Sequence, residues 1–114
     1  MAEHSKLLNI VKQFRKGILD GRGPISMCYA VCAPLSAYLQ VCGYDNKLVC
    51  GEVNSGYWQE HYWLDFGDFI VDPTASQFKN PQGGRMPQVY IGSRPQWYIV
   101  LDRNVRRKRG NPNV

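Results

Sequence analysis

A thiol, an imidazole and a carboxylate stand in that order along the chain: Cys28 or Cys32, then His61, then Asp72. A cysteine attacks carbon as its thiolate. A neighbouring histidine accepts the thiol proton, and a carboxylate beside that histidine fixes its tautomer and stabilises it once charged. Three such residues within one site would carry out nucleophilic acyl chemistry. The elements that hold them decide whether they meet.

His61 and Asp72 lie in the stretch His-Tyr-Trp-Leu-Asp-Phe-Gly-Asp-Phe-Ile-Val-Asp-Pro-Thr, residues 61–74. Two runs rich in aromatic and β-branched residues flank Gly67-Asp68, which predicts a hairpin with a two-residue type II′ turn, Gly67 supplying the positive φ. Trp63 is then expected opposite Asp72, and His61 opposite Thr74. Side chains alternate along a strand, so Tyr62, Leu64, Phe66, Phe69 and Val71 share a wholly apolar face, expected to be the buried one. His61, Trp63, Asp65, Ile70, Asp72 and Thr74 share the other. There His61 and Asp72 are diagonal neighbours at roughly 7–8 Å, within side-chain reach.

The cysteines precede a helix that ends at Gly43, where a left-handed C-terminal residue is expected. Leu35, Tyr38, Leu39 and Cys42 form its stripe. Two starts fit. Ser26 as N-cap places Cys28 in the first turn, where unpaired N–H groups and the helix dipole lower a thiol's pKa. Pro34 at the first helical position places Cys32 near the cap instead. Cys42 and Cys50 read as small buried hydrophobes.

Around this core, Leu7, Val11, Phe14 and Ile18 recur with helical period and predict an amphipathic helix over 5–20, capped by Ser5 and ended by Gly21-Arg22-Gly23-Pro24. Strands are expected at 47–53, at Val89-Tyr90-Ile91 and at 97–101. Residues 75–94 are rich in Gly, Gln and Pro, which forbids long regular structure and suits the wall of a cleft.

The 114 residues suffice for one domain, 44% of them hydrophobic. That domain is expected over residues 1–101, with a basic tail over 102–114. No apolar run approaches the roughly 20 residues that span a bilayer, and the first residues lack a signal-peptide layout, so a cytoplasmic protein without membrane association is expected. Most of the net charge of +5 sits in Arg103, Arg106, Arg107, Lys108 and Arg109. The four cysteines are separated by three, nine and seven residues, which suits reduced thiols rather than a zinc site. No metal or other cofactor is expected.

Cysteine at a helix start, Gly fifteen residues on at Gly43, His61-Tyr62-Trp63 in a strand and Asp72-Pro73-Thr74 after the next follow one another in that order. The series resembles the core of the transglutaminase-like branch of the papain-like cysteine enzymes, with its His-x-Trp and Asp-Pro-Thr, over residues 26–74. The small size and the run from Asp72 to Phe78 also look like compact papain-like proteins of phages and bacteria, which implies the cytoplasm of a bacterium or of a phage-infected host. The resemblance implies an α+β fold, with an N-terminal helix and a cysteine-bearing helix packed on a small antiparallel sheet of about four strands.

It further implies Cys28 as nucleophile, His61 as base and Asp72 as the group orienting His61. Trp63, on the His61 face, is a candidate substrate-side wall. Pro34 departs from the family pattern, and no upstream Gln or Trp matches its side-chain oxyanion donor, which leaves two alternatives: the Cys28 backbone N–H with a further donor that the sequence does not name, or a degenerate site. The activity implied is thiol-dependent cleavage of a carboxamide in a protein or peptide: a protease or glutamine deamidase if water resolves the thioester, a transamidase if an amine does. A second reading, from another class, is a non-catalytic module that docks on nucleic acid or an acidic protein through its basic tail.

Overall fold

The computed structural model describes residues 2–100. Leu101 and the basic tail with Arg103, Arg106, Arg107, Lys108 and Arg109, on which the second reading rests, lie outside the described residues.

Two helices, α1 (Ala2–Leu19) and α2 (Cys28–Val41), pack on an antiparallel sheet. Its strands are β1 (Lys47–Asn54), β2 (Trp58–Asp65), β3 (Ile70–Asp72), β4 (Tyr90–Gly92) and β5 (Tyr98–Val100), in the spatial order β4-β3-β2-β1-β5. This is the expected α+β arrangement, with five strands rather than about four. Among the described residues no helix is long and apolar enough to cross a membrane.

Helix α1 buries Leu7 and Val11 and lays Leu8, Ile10 and Phe14 against the same core. It begins before Ser5, so Ser5 is not its N-cap. The added turn has a use, because the His4 ring packs 4.4 Å from that of Phe69. At the other end Asp20 and Gly21 take positive φ, and the Arg22 guanidinium donates to the carbonyls of Leu19 and Ile18, both at 2.9 Å. These bonds satisfy acceptors that a helix end leaves open.

Helix α2 begins at Cys28. Ser26 does not cap it: Ser26 adopts φ +64° in the preceding turn, and Met27 occupies the cap position with no side-chain bond. Pro34 lies inside the helix on its exposed side, where it forgoes the bond to the Ala30 carbonyl. The end is as expected. Gly43 has φ +92°, Tyr44 N donates to Leu39 O at 2.8 Å and Gly43 N to Gln40 O at 3.0 Å, the paired bonds of a Schellman motif. The buried stripe runs through Val31, Cys32, Leu35, Ser36 and Leu39. Tyr38 and Cys42, expected on it, are exposed, because the sheet meets α2 one residue further round, and Tyr38 stacks on Phe14 of α1 instead.

The hairpin forms at the predicted turn. Phe66 N donates to Phe69 O at 2.9 Å, Gly67 has φ +93°, and the register pairs Leu64 with Val71 and Asp65 with Ile70. The ladder stops there. Pro73 carries no N–H, and the chain turns through Thr74 into a 3-10 turn at Ala75–Gln77, so Trp63 and Asp72, and His61 and Thr74, are not ladder pairs.

Burial departs most from expectation. The face of Leu64 and Val71 meets the helices, but the opposite face is closed too. Residues from 75 onward, with Ala75, Phe78, Met86 and Tyr98, cover Trp63 and Ile70. Both faces of the hairpin are therefore interior, and the irregular segment serves as the third layer of the fold. Gly51 of β1 makes that layer possible: a Cβ there would collide with the Trp63 ring and the Ile99 carbonyl.

Candidate active site

Cys28 is the first residue of α2 and is half-buried. Strand β3 pairs with β2 only at Leu64 and Asp65, and beyond that short ladder the start of α2 meets β2 at Tyr62. Burial pushes the Cys28 thiol up, but the neighbouring His61 ring with its charge and the backbone N–H groups of Tyr62 and Tyr29 together bring it below the ordinary thiol range. Of these, the Tyr29 N–H is one that the first turn of a helix leaves free, and the Tyr62 N–H comes from β2.

Cys32, one turn further on, has the opposite environment. It is wholly buried and donates through Sγ to the Tyr62 carbonyl at 3.5 Å. Burial, with the negative charges of Asp72 and Cys28 added, pushes it well above the ordinary range. Of the two cysteines that the sequence leaves open, only Cys28 has surroundings that favour its thiolate.

His61 comes from the middle of β2 and is 1% exposed. Its Nε2 lies 2.7 Å from Asp72 Oδ2. Nδ1 is buried and has no hydrogen-bond partner among the described residues. With Nε2 engaged, Nδ1 is the nitrogen left for the Cys28 thiol. Burial alone would lower the imidazole pKa. The Asp72 charge and hydrogen bond outweigh it, Cys28 adds to them, and His61 is raised to about 9. The ring is thus protonated at neutral pH, the state that pairs with a thiolate. Phe78 stands edge-on to it at 4.6 Å and 90°, which keeps water from its face.

Asp72 ends β3 and is fully buried with all four lone-pair positions in use. Oδ2 receives His61 and, at 2.6 Å, the hydroxyl of Tyr98. Oδ1 receives the Thr74 N–H at 3.0 Å and the Thr74 hydroxyl at 3.4 Å. The Thr74 N–H bond is the local turn that an Asp makes with the residue two further on, so Asp72-Pro73-Thr74 is a self-closed cradle for its own carboxylate. Gln77 Nε2 donates to Thr74 Oγ1 at 3.1 Å, and Arg15 of α1 donates through Nε to the Pro73 carbonyl at 2.7 Å. Helix α1 thus anchors the turn that carries the carboxylate.

Comparison with protein-family models, with curated proteins and with solved structures finds no match.

The structure brings Cys28, His61 and Asp72 into one continuous chain of contacts across α2, β2 and β3. It does not place Trp63 at a substrate wall. That side chain is fully buried beneath Tyr98, ring centroids 5.2 Å apart, and offers no surface to a ligand. Tyr29 and Tyr62, whose rings meet edge to face at 5.0 Å, are the aromatic groups beside Cys28 that keep exposed surface. Residues 75–94, expected to wall a cleft, cover the His61 face instead. Sequence reasoning missed Tyr98, Phe78 and Arg15. Arg15 lies 58 residues from Pro73 and Tyr98 lies 26 from Asp72, and no local pattern announces either pairing. Among the described residues no group of three His, Cys, Asp or Glu side chains could hold a metal ion.

Proposed function

We propose that this protein is a thiol-dependent enzyme acting on carboxamide bonds, with a papain-like core of the transglutaminase-like kind, Cys28 as nucleophile, His61 as acid and base and Asp72 as the orienting carboxylate. The observation that carries the reading is the His61 ring held between two groups, Nε2 on the Asp72 carboxylate at 2.7 Å and the other side facing a thiol of lowered pKa at a helix start.

The steps follow from those roles. Cys28 Sγ attacks the carboxamide carbon as thiolate, and the carbonyl oxygen takes up the negative charge. The N–H groups of the first turn of α2 supply positive ends for that oxyanion. His61, protonated, gives its proton to the departing nitrogen. The C–N bond breaks, ammonia or an amine leaves, and a thioester remains on Cys28. The neutral imidazole then takes a proton from water as its oxygen attacks the thioester, and the acid and the Cys28 thiol are released. An amine in place of water gives transamidation. Asp72 keeps the proton-bearing Nε2 turned inward, so Nδ1 does the transfers. The resemblance implies protein or peptide carboxamides as substrates, a bacterium or a phage-infected cell as host and the cytoplasm as compartment.

The test is iodoacetamide labelling as a function of pH, with sites mapped by mass spectrometry, on the wild type and His61→Ala. Fast labelling confined to Cys28 below pH 7 and lost in His61→Ala is expected. Slow labelling at Cys28 with a midpoint near the free-thiol value of about 8.5 would remove the catalytic reading and leave the docking module.

A further inference from the structure

We infer that Tyr98 is a positioning residue of the same site, holding the Asp72 carboxylate through its hydroxyl so that His61 keeps one tautomer and remains able to release its proton. The inference rests on the catalytic reading above. It starts from a shared atom: Asp72 Oδ2 is the acceptor for both His61 Nε2 at 2.7 Å and the Tyr98 hydroxyl at 2.6 Å. The two donors come from strands on either side of β1, His61 from β2 and Tyr98 from β5. Both are buried.

Without Tyr98, Thr74 would still hold Oδ1, but Oδ2 would have His61 as its one donor. A larger share of the carboxylate charge would then fall on the imidazole. A hydrogen bond to a charged acceptor takes up part of its charge, so Tyr98 weakens the pull of Asp72 on the His61 proton. A histidine that must give its proton to a leaving nitrogen in every turnover needs that restraint.

The surroundings keep Tyr98 in the donor role. Its strand pairs Val53 with Tyr98, its carbonyl accepts from Arg94, its N–H donates to the Pro95 carbonyl at 3.0 Å, and its ring packs against Trp63 and Trp97. Burial and the Asp72 carboxylate push the phenol far up, so it stays protonated. The titratable groups acting on it are Asp72 of β3, Tyr90 of β4 and Cys32 of α2; those acting on His61 are Asp72 and Cys28.

The experiment is an NMR titration of the His61 ring nitrogens in the wild type and Tyr98→Phe, with the pH profile of Cys28 alkylation on the same samples. In Tyr98→Phe the His61 midpoint is expected to rise by about one unit, and the upper limb of the Cys28 profile to move with it. A variant that melts earlier but leaves both unmoved would make Tyr98 a packing residue and overturn the inference while the catalytic reading stands. Ordinary labelling of wild-type Cys28 would end both. If Tyr98→Phe does not fold, the wild type still decides: a slowly exchanging Tyr98 hydroxyl proton with a cross-peak to the His61 Nε2 proton is expected, and its absence overturns the inference.

Discussion

On the helix side of the sheet, Leu64 and Val71 meet Cys32, Leu35 and Leu39 of α2, with Leu7 and Val11 of α1 behind them. On the other side, His61, Asp72 and Thr74 are enclosed with Trp63, Phe78 and Tyr98 under a segment that has almost no regular structure. The first region is apolar throughout, and any filling of similar volume would serve it. In the second, each buried charge depends on a named donor. Low polarity strengthens such bonds, and it makes a missing partner expensive. Cys28 stands where α2 crosses from one region to the other, with the helix start on its sulfur and the buried imidazole beside it.

Removing a charge and removing a hydrophobe should therefore differ in kind. Asp72→Ala leaves His61 and the Tyr98 hydroxyl buried without their acceptor and should cost about 3–5 kcal/mol, with loss of fast Cys28 labelling. Leu35→Ala opens a cavity on the helix side and should cost about 2–5 kcal/mol, with the Cys28 pH profile kept. Urea denaturation and iodoacetamide labelling of both variants measure this. If Leu35→Ala also abolished Cys28 activation, the two regions would not be separable.

The pH dependence of stability sharpens the same contrast. His61 is raised from 6.5 to about 9, so its contribution is complete below pH 6.5 and disappears as pH rises through about 9. Cys28, lowered from the ordinary thiol range, works in the opposite direction over part of that range. In Cys28→Ser the histidine acts alone, and stability should fall by on the order of 2–3 kcal/mol between pH 6 and pH 9.5. His61→Ala in the same background should remove the slope. A slope that survives in His61→Ala would assign it to another group.

The contrast between the regions also explains what the sequence could tell. Gly67 and the alternation around it specify the turn and the register, and Gly43 specifies the end of α2, because each is a local backbone requirement. The apolar period of α1 is legible for the same reason. Alternation also says which residues share a face with His61, but not what covers that face. Phe78, Met86 and Tyr98 arrive from a stretch whose composition predicts only irregularity. The pairing of His61 with Asp72 was legible as a diagonal across the hairpin, whereas the Tyr98 bond needs β5 to pair with β1 at the far edge of the sheet. The start of α2 was left open between Ser26 and Pro34 because α2 begins without a side-chain cap, and a cap is the signal that sequence offers there.

Pro34 supplies the smallest effect and a test of where the strictness of the second region ends. It lies on the exposed side of α2, six residues past Cys28, and it is not part of the buried stripe. Pro34→Ala restores an N–H for the Ala30 carbonyl and relieves the ring's crowding of the preceding turn, while returning some freedom to the unfolded chain. The net is an expected gain of about 1 kcal/mol, read as a higher urea midpoint at unchanged slope. The first turn of α2 is held by other bonds, Val31 N to Met27 O at 3.0 Å and Cys32 Sγ to Tyr62 O at 3.5 Å. Cys28 labelling should then be unaltered. Slower labelling in a more stable Pro34→Ala would mean that the proline sets the approach of Cys28 to His61, and that the demand for exact placement extends from the charged region into the helix that serves it.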